Sequence, residues 1–286
     1  WIEAGRIAKE AREFSKTLAK PGARILDIAE KVEAKIRELG AVPGFPVNIS
    51  MDEIAAHYTP VPEDAIVLEN QVVKIDIGTC YNGAIGDTAY TVDLSGRYSE
   101  LVKAAREALD NAIKLLSPGT CLGEIGRTIQ ETIQSYGYSP VKNLSGHGLS
   151  EYDVHTAPSI PNFDTKDKTE LEEGQTIAIE PFATDGSGLI KESSNPMIFS
   201  QIASRPVRSI FARQVMAEVK SYKELPFASR WLSNKFSQGK ANFALRELKQ
   251  AGNIKGYPPL PEIAGGMVSQ AEHSFIIEEK TVITTL

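Results

Sequence analysis

Residues 74–87 read KIDIGTCYNGAIGD, and this stretch decides the fold. Asn82 and Gly83 form the strongest short hairpin signal, because a two-residue type I′ turn needs positive φ at both central positions. Counting outward from the turn pairs residue 81 with 84, 78 with 87 and 76 with 89. Asp76 and Asp87 are therefore predicted to be diagonal neighbours on one face of the hairpin.

The opposite face of this hairpin is predicted to build the core with Val73, Ile75, Ile77, Thr88 and Tyr90. Two carboxylates that lie close together on a partly buried surface repel each other and lose solvation unless a positive charge lies between them. A metal ion meets that need. The alternative is that both aspartates are exposed on a sheet edge. The pair alone leaves both interpretations open.

Other candidate ligands occur in distinctive contexts. Glu180 ends the apolar run TIAIE, and Glu272 stands at the entry to AEHSFII. A glutamate inside a core is costly unless it is ligated or paired. A single histidine is more often structural than a ligand, but all four histidines of this chain lie near Gly, Pro or carboxylates: His57, His147, His155 and His273.

Composition limits the class of protein. With 286 residues and 42% hydrophobic content the chain is long enough for one large domain or two smaller ones. No apolar run approaches a membrane span, and the first residues lack a secretory signal, so we expect a cytoplasmic protein. Cys80 and Cys121 lack metal-ligand spacing and are predicted to be unpaired thiols of a reducing compartment.

Periodicity predicts a mixed α+β protein with antiparallel hairpins. Helices are expected over residues 2–19, 24–39, 98–116 and 123–136, and strands over 71–79, 84–93, 175–180 and 273–285. Residues 205–251 have helical periodicity throughout, with turns near Pro226 and at 237–239, and so read as a helical insertion.

Charge is distributed unevenly along the chain. The net charge of −6 argues against a dedicated nucleic-acid binder. Residues 203–251 hold ten basic and three acidic side chains, a balance of +7, so the rest of the chain carries −13. Such a basic segment is a candidate for electrostatic docking, although basic helical surfaces are usually just solvated.

Asp76, Asp87, His147, Glu180 and Glu272, in this order and spacing, resemble the five metal ligands of the methionine aminopeptidase, prolidase and creatinase superfamily. The chain is most similar to type II methionine aminopeptidases of archaeal style. The flanking motifs FPVNIS, IAAHYTP, KIDIG, GDTAYTV, NLSGH, IEPFAT and YPPLPEI carry this resemblance over nearly the whole chain. It departs from the family pattern at Cys80, Gly148 and Ala271, none of which is a ligand.

The resemblance implies the pita-bread fold, an antiparallel sheet flanked by helices. We expect a catalytic domain over residues 1–202 and 260–286, with a helical insertion subdomain at 203–259. It also implies a monomeric enzyme that removes the N-terminal methionine from peptides and nascent chains, favouring a small second residue. Two divalent ions, Co, Mn, Fe(II) or Zn, would activate a hydroxide there.

The family pattern also assigns roles to side chains. Asp87 and Glu272 would bridge the two ions, Asp76 would bind one of them, and His147 with Glu180 would bind the other. Glu180 would relay a proton, His155 would stabilise the tetrahedral intermediate, and His57 would touch that intermediate. The methionine pocket would be lined by Phe45, His57, Val154, His155, Phe182 and Tyr257.

Two other functions remain open at this stage. A proline-directed aminopeptidase or dipeptidase of the same superfamily would use the same five ligands. A proliferation-associated protein, which resembles type II enzymes and binds RNA and proteins, would lack ligands that are intact here. A specific DNA reader and a membrane protein are not expected, whereas docking of the basic insertion on the ribosome is a candidate partner interaction.

Overall fold

Two pairs of amphipathic helices cover the sheets in the computed structural model, which describes residues 1–193 and 195–286. In the helix Ile25–Glu38, for example, the apolar stripe of Ile25, Ile28, Val32 and Ile36 is buried. The predicted helices at 2–19, 24–39, 98–116 and 123–136 are confirmed. The helices are α1 Ile2–Leu18, α2 Ile25–Glu38, α3 Ser99–Ile113, α4 Leu122–Ser135, α5 Ile210–Val219, α6 Ser229–Lys235 and α7 Gln238–Gln250.

Antiparallel pairing joins the strands into sheets, as the sequence predicts. The strands are β1 Val42–Pro43, β2 Asn48–Met51, β3 Val72–Tyr81, β4 Ala84–Asp93, β5 Ser139–Pro140, β6 Ser145–Ser150, β7 Asp153–Pro161, β8 Thr176–Ile179, β9 Phe182–Thr184, β10 Ile198–Gln201, β11 Phe227–Ala228, β12 Ile254–Tyr257, β13 Val268–Gln270, β14 His273–Ile276 and β15 Val282–Ile283. One sheet contains β1, β3 and β2 with β4 beside β3, and a second has the order β15-β14-β8-β6-β7. Two three-stranded sheets have the orders β13-β9-β5 and β11-β10-β12.

The hairpin of β3 and β4 has the predicted register. Asn82 and Gly83 have φ values of 52° and 98°, as a type I′ turn requires. Asp76 faces Ala89, and Gly78 faces Asp87. The two aspartates therefore lie on one face, while the side chains of the other face pack in the core below α1 and α2.

The predicted strand over residues 273–285 is wrong in one respect. The chain turns after β14, and β15 folds back to pair with it, Phe275 opposite Ile283. Glu278, Glu279 and Lys280 between the two strands are exposed. These charges could not be buried in a continuous strand without partners, so the chain reverses there.

Each half of the main body packs a helix pair against its own antiparallel sheet. Ile7 and Ile28 pack with the β3 residue Ile75, and Leu101 and Ile125 pack with the β8 residue Ile177. Among the described residues, no helix combines the length and the apolar character needed to cross a membrane.

The insertion is not helical throughout, contrary to the prediction for residues 205–251. Phe227 and Ala228 form the short strand β11, which pairs with β10. β10 and β12 also pair, with Ile198 opposite Tyr257, so the two ends of the inserted segment meet. The short run FA between two helical stretches is too brief to show strand periodicity. Division of the chain at residues 203 and 259 stays a prediction.

Glu262 holds two loops together near the end of the insertion. Its carboxylate accepts hydrogen bonds from the Ser187 amide at 2.6 Å, the Ala264 amide at 2.6 Å and the Gly266 amide at 3.1 Å, and another from the Ser187 hydroxyl. Burial alone would raise the pKa of Glu262, but these hydrogen bonds outweigh it and lower the pKa to about 2.

We predict that Glu262→Gln lowers the free energy of unfolding at pH 7 by about 2 kcal/mol, the scale of hydrogen bonds to a charged group. The folded-state pKa lies below its usual value of 4.5, so this stabilisation is present above pH 4.5 and is lost as the pH falls toward 2. Urea unfolding from pH 7 to pH 3 measures the effect. The difference in the free energy of unfolding between wild type and variant should decrease toward pH 3. A difference that stays constant with pH contradicts the prediction. Exposed Glu279→Gln is the control.

Candidate active site

All eleven residues that the sequence singles out for the site line one cavity of about 780 Å³. The cavity lies between the β3–β4 hairpin, the β6–β8 sheet and the insertion. The structure therefore brings together every one of them: Phe45, His57, Asp76, Asp87, His147, Val154, His155, Glu180, Phe182, Tyr257 and Glu272.

The backbone places the five candidate ligands on strands or directly beside them. Asp76 and Asp87 project from the hairpin, and the Glu272 amide donates to the Ala89 carbonyl at 3.0 Å, which pins Glu272 against that hairpin. From the other sheet, His147 of β6 lies opposite a residue of β8, and Glu180 follows β8 directly. Ligands carried by strands are held more rigidly than ligands carried by loops.

Asp87, His147 and Glu272 each offer one ligand atom, and these atoms lie within 4.8 Å of one another. His147 Nε2 is 3.9 Å from Asp87 Oδ2 and 3.7 Å from Glu180 Oε1. Ligand atoms at such separations can surround one cation but are too far apart to hydrogen bond to each other.

Three carboxylate oxygens of the candidate ligands are buried without a hydrogen-bond partner among the described residues. They are Asp76 Oδ1, Asp87 Oδ1 and Glu272 Oε2. An unpaired buried carboxylate oxygen is costly, and a cation removes that cost. Four carboxylates and one imidazole are a hard, oxygen-rich donor set, so these residues fit a divalent metal.

The pKa values of these carboxylates also favour a bound cation. Burial raises the pKa of Asp76 to about 7, against the hydrogen bond from Gln270 that lowers it. Burial and then the charge of Asp76 raise the pKa of Asp87 well above its usual range. Burial and then the neighbouring carboxylates likewise raise the pKa values of Glu180 and Glu272. Burial and mutual repulsion therefore disfavour the ionised form of all four carboxylates unless a cation lies among them.

Burial also lowers the pKa of His147 to about 3, with a further decrease from the charge of His155. His147 is therefore neutral at physiological pH, and neutral imidazole is the form that binds metals. Its Nδ1 lies 3.2 Å from the Gly148 carbonyl, which leaves Nε2 facing Asp87 and Glu180.

Gln270 is a site residue that the sequence reasoning missed. Its amide Nε2 lies 3.1 Å from Glu180 Oε2 and 3.4 Å from Asp76 Oδ2, so it links carboxylates from both sheets. Thr91 holds the Gln270 backbone from both sides, because its hydroxyl donates to the Gln270 carbonyl and accepts from the Gln270 amide. The available signal was spacing, since residues two apart on a strand share a face and Gln270 precedes Glu272 by two.

The imidazoles of His57 and His155 line the same cavity as the carboxylates. The His155 ring is 4.5 Å from that of His147 and 6.4 Å from that of Tyr257. Tyr257 also contacts His57 edge-on at 5.9 Å. Burial, followed by the charge of His155, lowers the pKa of His57 to about 4. Both rings can thus face a bound group beside the cluster.

Apolar side chains form the remaining wall. Phe45 packs with Val154 and Leu149, whereas Phe182 packs with Ala56 and Leu260. A Cβ at Gly78 would collide with the Phe45 ring, so a glycine on the aspartate strand is what lets Phe45 enter the cavity. His273, expected to be structural, points away from the cavity, where Nδ1 lies 2.8 Å from the Thr285 hydroxyl.

Known proteins share this architecture. The methionine aminopeptidase of Pyrococcus abyssi is 47% identical over 99% of this chain and 97% of its own length, and that of Methanocaldococcus jannaschii is 47% identical over the same shares. The crystal structure of methionine aminopeptidase from Thermotoga maritima, 23% identical, matches 99% of this chain and 94% of its own with a TM-score of 0.72, which confirms the pita-bread fold. The model of Metallopeptidase family M24 matches residues 2–204. The chain belongs to metallopeptidase family M24.

Proposed function

We propose that this protein is a metal-dependent aminopeptidase that removes the N-terminal methionine from peptides and nascent chains. The observation that carries the proposal is the convergence of five candidate ligands beneath one partly apolar cavity. The relatives that match nearly the full length are named methionine aminopeptidase, and neither alternative function is favoured by that similarity.

Asp87 and Glu272, which with His147 offer ligand atoms within 4.8 Å of one another, are the candidates to hold both of two divalent ions. Asp76 would hold one ion, and His147 with Glu180, whose Nε2 and Oε1 atoms are 3.7 Å apart, would hold the other. When bound, such ions lower the pKa of a coordinated water and polarise a carbonyl. Co, Mn, Fe(II) and Zn all suit this donor set.

The side chains of the protein bind and orient the peptide and transfer protons. The methionine side chain packs against the apolar wall of the cavity, which is formed by Phe45, Val154 and Phe182. His155 donates a hydrogen bond to the oxygen that gains charge as the scissile carbonyl becomes tetrahedral. Glu180 carries a proton to the departing amine, since its carboxylate adjoins His147 and the cavity.

Release of methionine from the peptide Met-Ala-Ser tests the proposal directly. The chain is first treated with a chelator, and single metals are then added back. We expect turnover of Met-Ala-Ser to vanish and return, whereas peptides that begin Ala-Pro stay intact. Cleavage of the proline peptide alone would refute this function in favour of a proline-directed enzyme.

We predict that Asp87→Asn abolishes turnover and lowers the metal content, because a bridging carboxylate serves both ions at once. Elemental analysis and the Met-Ala-Ser assay measure the two effects. Added metal should also raise the Tm of the wild type, since it stabilises only the folded state, and raise that of the variant much less. Asp110→Asn, which changes a surface carboxylate, is the control. A variant that keeps two metals and near-normal turnover contradicts the ligand assignment.

We predict that His155→Ala keeps its metals but loses a factor of roughly 10² or more in kcat, the scale for removal of one oxyanion donor. Its ring lies 4.5 Å from that of His147 and lines the cavity, close enough to reach a bound carbonyl. Glu151→Ala, an exposed change on the preceding turn, should leave kcat unchanged. Loss of metal from the His155 variant would instead make His155 a ligand.

We further propose that the protein is a cytoplasmic monomer that docks on ribosomal RNA through the insertion. Both cysteines are free thiols, which accords with a reducing compartment. Lys240, Arg246 and Lys249 are exposed on α7. These charges offset the repulsion between RNA and a chain with a net charge of −6.

Reversal of the α7 charges, by Lys240→Glu, Arg246→Glu and Lys249→Glu together, should reduce cosedimentation with ribosomes. The wild-type interaction should weaken steeply as salt rises from about 50 to 200 mM, because it is electrostatic. Hydrolysis of free Met-Ala-Ser should not change. Cosedimentation that is insensitive to salt or to these reversals would leave the insertion without a docking role.

A further inference from the structure

A buried ion pair joins the insertion to the main body. Arg230 of α6 and Glu33 of α2 form a salt bridge in which both side chains are almost fully buried, at 1% and 3% exposure. The pair lies outside the set of residues that line the active-site cavity. A pair of this kind contributes little net stability compared with well-packed apolar side chains, so its geometry calls for another explanation.

The ion pair forms hydrogen bonds near both ends of a segment that lines the cavity. This segment comprises residues 45–59, and we term it the pocket segment. Glu33 Oε1 accepts a hydrogen bond from the Val47 amide at 3.2 Å. Arg230 donates to the Thr59 hydroxyl at 2.6 Å, and that hydroxyl donates to the Val47 carbonyl at 2.8 Å. The entry and the exit of the pocket segment therefore meet at one buried charge pair.

The pocket segment carries residues that face the substrate space. Phe45, Asn48 and His57 all line the cavity. His57 has a φ of +66°, a conformation that a residue with a side chain adopts only where its surroundings hold it there. The flanking Ala55 amide donates to the Leu260 carbonyl at 2.9 Å, and the Leu260 amide donates to the Ala56 carbonyl at 3.1 Å. The Thr59 contact holds the other side of His57.

The same pair also positions the opposite wall. Trp231, next to Arg230, donates its indole N–H to Glu33 Oε2 at 2.8 Å, so α6 is attached to α2 by two neighbouring side chains. α6 begins directly after β11, and the cavity-lining residues Glu224 and Pro226 lie just before that strand. We term the part of the cavity lining formed by Glu224 and Pro226 the insertion wall. Glu33 contacts both the pocket segment and α6, so it sets the distance between the pocket segment and the insertion wall.

We propose that Arg230 and Glu33 are positioning residues that set the width of the methionine pocket and so its discrimination between methionine and other first residues. The inference rests on the proposed function for its substrate. Neither side chain touches the substrate; both act through the pocket segment and the insertion wall. The planar guanidinium supplies several donors in a fixed geometry, so it reaches Glu33, Thr59 and Pro60 together, as a lysine cannot.

The test is the ratio of kcat/KM for Met-Ala-Ser to that for Leu-Ala-Ser, because a ratio does not change when part of the enzyme is merely unfolded. Arg230→Met should lower the ratio at least about tenfold, the scale of a poorly fitted hydrophobic pocket. Arg230→Lys should lower it too. Lys235→Gln breaks an ion pair between the exposed last residue of the same helix, α6, and Glu218 of α5, and is the matched control, with no change in the ratio expected.

Thr59→Val removes the hydroxyl that joins Arg230 to the pocket segment but leaves the ion pair. This variant tests the proposal even if Arg230→Met does not fold. We expect at least a threefold fall in the ratio. Hydrogen exchange over residues 47–59 reads the same contact without turnover and should be faster in Thr59→Val than in Lys235→Gln.

These measurements separate the inference from the proposed function. A wild-type protein that cleaves neither peptide overturns the function, and with it the assigned specificity, even where exchange shows that the pair holds the segment. The positioning role alone is overturned if the wild type cleaves Met-Ala-Ser but the variants do not differ from it. That outcome is a Met-Ala-Ser to Leu-Ala-Ser ratio of kcat/KM within threefold of wild type in Thr59→Val and in the folded Arg230 variants. The positioning role is also overturned if hydrogen exchange over residues 47–59 is no faster in Thr59→Val than in Lys235→Gln.

Discussion

Repulsion among four clustered carboxylates, of which Asp87 and Glu272 are buried and Asp76 and Glu180 are partly buried, is the constraint on which this structure depends. Asp76, Asp87, Glu180 and Glu272 share one cavity, and burial raises the pKa of each above its usual range. Ionisation of all four together requires a compensating cation. Because Asp76 and Asp87 come from one sheet and Glu180 adjoins the other, a cation bound by all of them joins the two halves. A divalent ion bound there would therefore stabilise the folded state.

Small residues let the strands bring their carboxylates this close. Gly78 lies opposite Asp87 in the hairpin and gives the Phe45 ring its space. Gly146 precedes the candidate ligand His147, and a Cβ there would collide with the Ala178 carbonyl on the next strand. Gln270 then links Asp76 to Glu180 across the gap between the sheets. Rigid neighbours of this kind hold a catalytic group in place more accurately than a mobile loop does.

The sequence predicts the features that local chemistry determines. The Asn82–Gly83 turn sets the register of β3 and β4, so the placement of Asp76 beside Asp87 could be counted from the chain alone. The apolar stripes of the helices were equally readable. Residues 278–280 were misread, because periodicity weighs apolar residues and passes over three exposed charges that mark a turn.

Contacts between distant parts of the chain escape such reading. Glu33 and Arg230 are 197 positions apart, and neither has a flanking pattern that marks it as buried. Counted from the sequence, Arg230 is one of ten positive charges on a basic insertion. In the fold it is neutralised inside the protein, and Lys235 pairs with Glu218. The positive charge that the insertion offers to a partner is therefore smaller than the sequence count, and part of that count serves instead to hold the insertion against the cavity.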